Sequence, residues 1–310
     1  MTDDIRRPFG RVLTAMVTPF AADGGLDLAG AQRLAAYLVD EGGNDGLVIS
    51  GTTGESPTTT DEEKDRLLRA VIEAVGDRAA VVAGVGTNDT AHTVHLAHAA
   101  EKAGADGLLA VTPYYSKPPQ AGLLAHFRAL AEATGLPAML YDIPGRTGTP
   151  IETETMVRLA EHPRIVAVKD AKGDLEASAW VMARTDLAFY SGDDKTTLPL
   201  LSVGGVGVVG VPTHLVGVRT GEMIRAYEGG DVRRALDLHR ALLPAFTGFF
   251  RTQGVILAKA ALRLAGLPAG PVRPPLVEAT PDQVDRLRAD LAAAGVPLPL
   301  DAPEVTLPTR

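Results

Sequence analysis

Cysteine is missing from the 310-residue chain. A disulfide framework, a thiolate zinc site and a thiol nucleophile are therefore all excluded. The lack of cysteine fits a reducing compartment, although it does not require one. The fold must rest on its hydrophobic core, and a chain of this length can build one without cross-links because it buries roughly three-quarters of its unfolded surface.

Long apolar runs and an excess of basic charge are also absent. No stretch approaches the roughly 20 apolar residues that a membrane helix needs. The segment Met1–Gly10 lacks the apolar core of a secretory signal peptide. The formal net charge of −8 disfavours nucleic acid and anionic membranes as partners. We therefore expect a soluble, cytoplasmic protein.

The chain contains short runs of apolar and β-branched residues that are separated by longer amphipathic stretches. Because their apolar character is continuous rather than alternating, these runs indicate parallel strands buried on both faces. The eight runs are Val12–Val17, Gly46–Ser50, Ala80–Ala83, Gly107–Val111, Ala138–Tyr141, Ile165–Val168, Leu187–Tyr190 and Val206–Val211. Three of the stretches between them open with a predicted helix N-cap, namely Asp61–Ala74 after Thr60, Thr90–Ala103 after Asp89 and Thr153–Glu161 after Glu152.

Strand–helix repeats of this kind form either a closed barrel or an open doubly wound sheet. Repeats of similar length favour an α/β fold of the (β/α)₈ TIM-barrel type, which takes about 250 residues. No Gly-x-Gly-x-x-Gly motif follows the first strand, and we interpret Gly84–Gly86 and Gly204–Gly207 as glycines that ease close packing. We place the barrel in residues 1–230.

Beyond the eighth run the sequence shows helical periodicity alone. The segments are Glu222–Glu228, Val232–Leu243, Val255–Leu264 and Pro281–Ala294. We therefore predict that the last barrel helix is followed by a small C-terminal helical domain in residues 231–310. Its proline-rich tail, from Pro297 onward, is expected to be loosely ordered.

Polar segments follow five of the predicted strands. In a barrel of this type the chemistry lies at the C-terminal ends of the strands, so these segments are expected to converge on one mouth. They are Ser50–Glu55, Thr112–Tyr115, Tyr141–Arg146, Lys169–Asp170 and Ser191–Asp194.

Lys169 is the most informative residue of this set. We interpret it as the only lysine that directly follows a run as apolar as Ile165–Val168. A low-dielectric barrel interior disfavours the ammonium form, and the neutral amine that results can attack a carbonyl to form an imine. The alternative is a structural lysine at a strand end, paired with Asp170 or Asp193.

Three further groups have both a catalytic and a structural interpretation. Tyr141 can serve as an acid or base, or as a core aromatic with a satisfied hydroxyl. Thr52 and Thr53 can hold a carboxylate with their hydroxyls and amides, or simply form a turn. The guanidinium of Arg146 suits a substrate carboxylate, and the alternative is a surface ion pair.

No metal site is expected. His92, His95 and His98 share part of one helix face, but this helix belongs to the outer ring of the barrel and we find no carboxylate to complete a site. We interpret Asp193 and Asp194 as structural or capping residues rather than as a metal pair.

Three of these segments together resemble a known family. Gly51-Thr-Thr-Gly-Glu55, Tyr141-Asp-Ile-Pro-Gly-Arg146 and Val168-Lys-Asp170 resemble the pyruvate-dependent class I aldolases related to N-acetylneuraminate lyase. The resemblance extends from about Gly10 to Ala294. The arginine of the second segment is typical of the synthase branch, which joins pyruvate to L-aspartate 4-semialdehyde in lysine and diaminopimelate biosynthesis. Sugar-acid lyases of the family usually lack it.

The resemblance implies a set of catalytic roles. Lys169 forms the imine with pyruvate, and Tyr141 is the central proton donor and acceptor. Thr52 passes protons between Tyr141 and Tyr115, and this last tyrosine comes from the neighbouring subunit. A homo-oligomer follows, with a dimer-of-dimers tetramer as the expected form. No metal or organic cofactor is implied, because the lysine imine is itself the electron sink.

The resemblance also implies substrate-binding roles. Thr53 and the backbone near Val209 hold pyruvate, and Gly192 contributes a backbone carbonyl. Arg146 binds the carboxylate of the semialdehyde.

Many members of the family are inhibited by lysine, and this chain departs from their pattern. Asn88 and Tyr114 of the inhibitor site are present, but His92 replaces an acidic residue, and Asp61 and Lys64 replace histidines. We predict weak inhibition by lysine, or none.

Two other functions stay open at this point. One is a sister aldolase that acts on a sugar acid or on 4-hydroxy-2-oxoglutarate. The other is a barrel that binds a metabolite without turnover, and the complete set of Lys169, Tyr141, Thr52 and Tyr115 argues against it.

Overall fold

Eight parallel strands close into a barrel in the computed structural model, which describes residues 7–299. The strands follow one another in sequence order, and the first pairs with both the second and the eighth. They are β1 (Val12–Ala15), β2 (Gly46–Ile49), β3 (Ala80–Gly84), β4 (Gly107–Val111), β5 (Ala138–Asp142), β6 (Ile165–Asp170), β7 (Ala188–Ser191) and β8 (Gly207–Gly210). The predicted (β/α)₈ barrel is confirmed.

Every residue of β5 and β6 is buried, as the continuous apolar runs predicted. The predicted end of the sixth strand was two residues short, because Lys169 and Asp170 belong to β6 itself. Lys169 pairs in register with Tyr141 of β5 and Tyr190 of β7. The lysine is therefore held by a rigid strand rather than by a loop.

Helices connect the strands and continue past the barrel. They are α1 (Leu28–Asp40), α2 (Asp61–Val75), α3 (Thr90–Ala103), α4 (Gln120–Ala133), α5 (Pro144–Thr147), α6 (Thr153–Ala160), α7 (Leu175–Met182), α8 (Thr197–Leu201), α9 (Thr213–Glu228), α10 (Val232–Gly248), α11 (Gly254–Leu264) and α12 (Pro281–Ala293).

The three predicted helix starts lie where the sequence placed them, but only two use a side-chain cap. Thr60 forms a capping box with Glu63, and Asp89 accepts a hydrogen bond from the backbone of Ala91. Glu152 occupies the N-cap position of α6 without any side-chain hydrogen bond to the helix. Its side chain is one methylene longer than the short aspartate that suits this position.

The C-terminal helices pack on the barrel. The predicted segment Glu222–Glu228 is the end of a longer helix, α9, which begins directly after β8 at Thr213. Side chains of α10 and α11, such as Phe246 and Leu257, belong to the same apolar core as the strands. The division of the chain at residues 230 and 231 stays a prediction, and most of the predicted loose tail lies outside the described residues. Within residues 7–299 no helix has the length and apolar character needed to span a membrane.

Candidate active site

A cavity of about 610 Å³ opens at the C-terminal ends of the strands. Four of the predicted site residues line it, namely Thr52, Tyr115, Tyr141 and Arg146. The side chain of Lys169 lies beneath this lining, with Nζ 4.4 Å from the centroid of the Tyr141 ring. The predicted convergence of strand ends therefore holds for these five residues, although they are scattered along the chain.

Lys169 is 5 % exposed, and its amine makes no ion pair or hydrogen bond with any residue in the range 7–299. The predicted structural alternative, a pair with one of two aspartates, is wrong. Asp170 instead accepts a hydrogen bond from the Ser178 hydroxyl. Asp193 lies 3.1 Å from the amine of Lys195.

Burial lowers the pKa of Lys169 to about 8, because the barrel interior disfavours the ammonium form. The nearby positive charge of Arg146 lowers the pKa further, whereas Asp194 acts in the opposite direction. At pH 7 a group with this pKa is neutral in roughly a tenth of the molecules, against about one in three thousand for an ordinary lysine. Burial therefore gives Lys169 a larger neutral fraction at pH 7 than an exposed lysine has.

The Tyr141 phenol is also buried, and burial raises its pKa to about 12. Arg146 and an interaction with the Thr52 side chain oppose this rise. The phenol therefore keeps its proton at neutral pH and can donate it to a group bound beside Lys169. Tyr141 is a buried core aromatic that also lines the cavity, so both of its interpretations fit this position.

The two threonines belong to a tight turn after β2, which we call the threonine turn (Gly51–Glu55). Thr52 faces the cavity, whereas Thr53 is buried within the turn. The Thr18 hydroxyl donates a hydrogen bond to the Gly54 carbonyl at 2.6 Å. The turn is thus held from the loop that follows β1.

Arg146 lies on the short helix α5, over the cavity. Its guanidinium forms no ion pair with any residue in the range 7–299, so the predicted surface pair is not found there. The loop is anchored at its base, because the Asp142 carboxylate accepts a hydrogen bond from the backbone of Ile151 at 3.2 Å. The unpaired guanidinium is available to a carboxylate in the cavity.

Tyr115 is the most exposed aromatic residue of the described chain, with 89 % of its surface accessible. Its backbone has a φ of +73°, which is uncommon for a residue with a side chain. An exposed aromatic ring on a strained backbone therefore lies at the rim of the cavity.

The three predicted pyruvate-binding positions, Thr53, Gly192 and Val209, lie outside the cavity lining. Gly192 approaches the buried lysine, since a Cβ on it would lie 3.0 Å from Lys169 Cγ. A side chain at this position would crowd the aliphatic part of the Lys169 side chain. Val209 is buried in β8, which is two strands away from β6.

Sequence reasoning missed Asp194 as a neighbour of Lys169. The carboxyl group is fully buried, and burial raises its pKa to about 7. The backbone of Val211 donates a hydrogen bond to one of its oxygens. The other oxygen has no hydrogen-bond partner within residues 7–299. Its neighbour Asp193 pairs with Lys195 and does not cap the helical turn that follows with its side chain.

Sequence reasoning also missed a second buried lysine. Lys259 on α11 directly follows the apolar run Val255–Ala258, so the prediction that only Lys169 follows such a run was wrong. Lys259 Nζ lies 2.6 Å from a carboxylate oxygen of Glu55, the last residue of the threonine turn. The apolar run was the available signal for this lysine.

The three histidines of α3 do not assemble a metal site, and no cluster of metal-ligating side chains occurs within residues 7–299. One carboxylate does approach these histidines, without completing a metal site. His92 Nε2 lies 2.8 Å from a carboxylate oxygen of Asp61, because α2 and α3 pack side by side.

Comparisons with known proteins agree with this geometry. The model of the dihydrodipicolinate synthetase family matches residues 8–294. A 4-hydroxy-tetrahydrodipicolinate synthase of Acidothermus cellulolyticus is 80 % identical over 95 % of this chain and 96 % of its own. 4-Hydroxy-tetrahydrodipicolinate synthase 2 of Streptomyces coelicolor is 66 % identical over 96 % of this chain and 99 % of its own.

A solved structure is also similar to this chain, both in fold and in sequence. The crystal structure of DHDPS from Cyanidioschyzon merolae with lysine bound has a TM-score of 0.92 and 46 % sequence identity to this chain. The match covers 94 % of this chain and 99 % of that one.

Proposed function

The chain belongs to the dihydrodipicolinate synthetase family, and we propose on this basis that it joins pyruvate to L-aspartate 4-semialdehyde. This is the 4-hydroxy-tetrahydrodipicolinate synthase reaction of lysine and diaminopimelate biosynthesis, and the chain is a lyase. One observation carries the assignment of the site. The buried amine of Lys169 has no ion-pair or hydrogen-bond partner within residues 7–299 and lies below a cavity that Arg146 lines.

The first chemical step is imine formation on Lys169. The neutral amine adds to the ketone carbon of pyruvate, and the adduct loses water after its hydroxyl group is protonated. Tyr141 is the proton donor in this proposal, since its ring lies 4.4 Å from the amine and its phenol stays protonated at neutral pH. Thr53, Gly192 and the backbone near Val209 hold the pyruvate.

Carbon–carbon bond formation follows. The imine acidifies the methyl group of pyruvate, and loss of a proton gives an enamine, which attacks the aldehyde carbon of the semialdehyde. Arg146 holds the carboxylate of this second substrate with paired hydrogen bonds. Orientation of the two reactants within one cavity can supply roughly 7–11 kcal/mol of the barrier.

Ring closure releases the enzyme. The amine of the bound semialdehyde displaces Lys169 from the imine carbon, which regenerates the free lysine. Thr52 passes protons between Tyr141 and Tyr115 during these steps. No metal or organic cofactor takes part, because the imine itself accepts the electron pair of the broken C–H bond.

We propose that Tyr115 acts across an interface between two copies of the chain. Its 89 % exposure and its left-handed backbone support this role, because a large bare aromatic ring favours burial against a partner. A tetramer built as a dimer of dimers is the proposed assembly, and a cytoplasmic location stays a prediction.

Inhibition by lysine is proposed to be weak or absent. Lys64 carries a positive charge into the region, and His92 is already bonded to Asp61. Asn88 and Tyr114 alone cannot neutralise a bound lysine. Half-inhibition below about 1 mM lysine, which corresponds to a binding free energy of about −4 kcal/mol, would contradict this expectation.

The experiment that tests the proposed function determines which aldehyde is the second substrate. Turnover is measured with pyruvate and three partners in parallel: aspartate semialdehyde, a sugar-derived aldehyde and glyoxylate, the aldehyde that 4-hydroxy-2-oxoglutarate releases. We expect aspartate semialdehyde to give the highest kcat/KM. In Arg146→Leu its KM is expected to rise by about 10²-fold, the cost of a lost charge-assisted contact, while the KM for pyruvate stays unchanged.

Faster turnover with either of the other aldehydes would overturn the assignment. Pyruvate binding without turnover of any aldehyde would point to a metabolite-binding barrel instead.

A further inference from the structure

The C-terminal helices reach the threonine turn through a buried ion pair. Lys259 of α11 and Glu55 of the turn are 2.6 Å apart, and their side chains are 0 % and 1 % exposed. Lys259 also donates a hydrogen bond to the Pro271 carbonyl at 2.6 Å, and its amine lies 4.2 Å from the centroid of the Phe20 ring. The pair is therefore fully enclosed and precisely placed in the structure.

The second oxygen of Glu55 is held by the same C-terminal segment. It accepts a hydrogen bond from the backbone of Arg273 at 2.8 Å. The Arg273 side chain then donates to the Thr58 carbonyl at 2.7 Å and to the Glu63 carboxylate at 2.6 Å. Residues 259–273 thus hold both the end of the threonine turn and the start of α2.

The turn needs such support from outside. Glu55 has a φ of +56°, a left-handed conformation that residues with side chains adopt only when their surroundings impose it. Thr52 and Thr53 lie three and two residues before it, respectively. We therefore expect a change at Glu55 to shift the hydroxyls and amides of these two threonines.

A buried ion pair is not the arrangement that gives the highest stability at such a position. Two well-packed apolar side chains in the same place are often as stable or more stable, because burying two charges is costly. What the pair adds is geometry, because one oxygen of the carboxylate lies 2.6 Å from the amine and the other accepts a hydrogen bond from the Arg273 backbone, which together restrict where the carboxylate can lie.

We propose that Lys259 is a positioning residue for the proposed reaction, one that acts through Glu55 to hold Thr52 and Thr53 in the conformation that binds pyruvate. The proposal rests on the proposed function. It assigns to the C-terminal helices a part in substrate binding, although Lys259 itself touches no substrate.

The test compares four proteins at a temperature where all are folded. They are the unchanged protein, Lys259→Met, the double variant Lys259→Met with Glu55→Gln, and the control Arg251→Met. The control removes the ion pair between the half-exposed Arg251 and Asp290, neither of which belongs to the threonine turn. The double variant removes both buried charges, so it folds even where a lone buried carboxylate does not.

The measurements are kcat, the KM for pyruvate and borohydride trapping of the imine on Lys169. In the single and double variants we expect the KM for pyruvate to rise at least about tenfold, equivalent to 1.4 kcal/mol. Trapping at saturating pyruvate stays complete, because the amine of Lys169 is untouched. Arg251→Met keeps the KM of the unchanged protein.

A folded double variant with an unchanged KM for pyruvate would overturn the proposal, because the pair would then serve stability alone. A KM change of the same size in Arg251→Met would also overturn it. Failure of the proposed function gives a different result: the unchanged protein would then show no adduct on Lys169, or would form the adduct without preferring aspartate semialdehyde as the second substrate.

Discussion

Two buried lysines in this molecule have opposite surroundings. Lys169 in β6 is 5 % exposed and has no ion-pair or hydrogen-bond partner within residues 7–299, whereas Lys259 in α11 is 0 % exposed and has a carboxylate at 2.6 Å. Burial lowers the pKa of both amines. Only at Lys259 does a carboxylate in direct contact, that of Glu55, oppose the shift.

The comparison shows that burial alone does not make a lysine reactive. A paired ammonium is held in its charged form by the partner, so it has no free electron pair for a carbonyl. An unpaired amine at the base of a cavity is the arrangement that imine chemistry needs. The following experiments test this difference, from the largest expected effect to the smallest.

Lys169→Met is expected to abolish turnover without loss of stability. Removal of a nucleophile typically lowers kcat by about 10⁴-fold or more. The folded-state pKa of about 8 lies below the unfolded value of 10.5. The lysine therefore destabilises the fold at every pH below about 10, and its removal can raise the free energy of unfolding by up to about 3 kcal/mol at pH 7.

Steady-state kinetics and urea unfolding check both parts of this prediction. A folded Lys169→Met protein with more than a hundredth of the normal kcat would contradict the catalytic role. A marked loss of stability would contradict the view that this lysine has no stabilising ion pair or hydrogen bond.

Lys259→Met is expected to lower the stability of the fold, whereas imine formation on Lys169 is expected to persist. It leaves Glu55 as a buried carboxylate without its partner, and breaking a buried pair in this way costs about 3–5 kcal/mol of unfolding free energy. Urea unfolding of Lys259→Met and of its double variant with Glu55→Gln measures this cost. The double variant is expected to recover most of it. A loss below about 1 kcal/mol in the single variant would show that the pair is not buried in solution.

The rate of imine formation should depend on pH in a way that identifies the unpaired lysine. The amine must be neutral to attack, so the rate of borohydride-trapped adduct formation should rise as the pH increases through about 8 and then level off. The increase from pH 7 to pH 9 is about tenfold for this pKa. A rate that still climbs steadily at pH 10 would mean that the amine has an ordinary pKa.

Arg251→Met extends the comparison to a pair on the surface. Arg251 contacts both oxygens of Asp290, at 2.7 and 2.8 Å, but its side chain is 46 % exposed. An exposed pair contributes less than about 1 kcal/mol, so the unfolding midpoint should move little. A loss equal to that of Lys259→Met would remove the distinction between buried and exposed pairs.

The barrel could be predicted from the sequence because its signal is local. Each strand of a parallel barrel is buried on both faces, so a run such as Ile165–Val168 identifies itself without knowledge of its neighbours. The error at the end of the sixth strand has a different cause. The sequence could not show that β6 continues through Lys169 and Asp170, since the pairing with β5 and β7 that extends it is not local.

The site was predictable only in part. The rule that strand ends converge in a barrel correctly predicted that Tyr141, Arg146 and Lys169 lie close together. The same apolar context precedes Lys169 and Lys259, and the sequence does not show which of the two amines has a partner. The partner of Lys259 is in the turn after β2, far away along the chain, and only the packing of α11 on the barrel reveals it.

The most direct test of the central claim lets the two lysines compete for one reagent. The protein is incubated with pyruvate, reduced with borohydride and digested, and the peptides that contain Lys169 and Lys259 are compared by mass spectrometry. We predict one reduced pyruvyl group on Lys169 and none on Lys259, in the native protein near pH 8. An unmodified Lys169, or an equal yield on Lys259, would contradict the account.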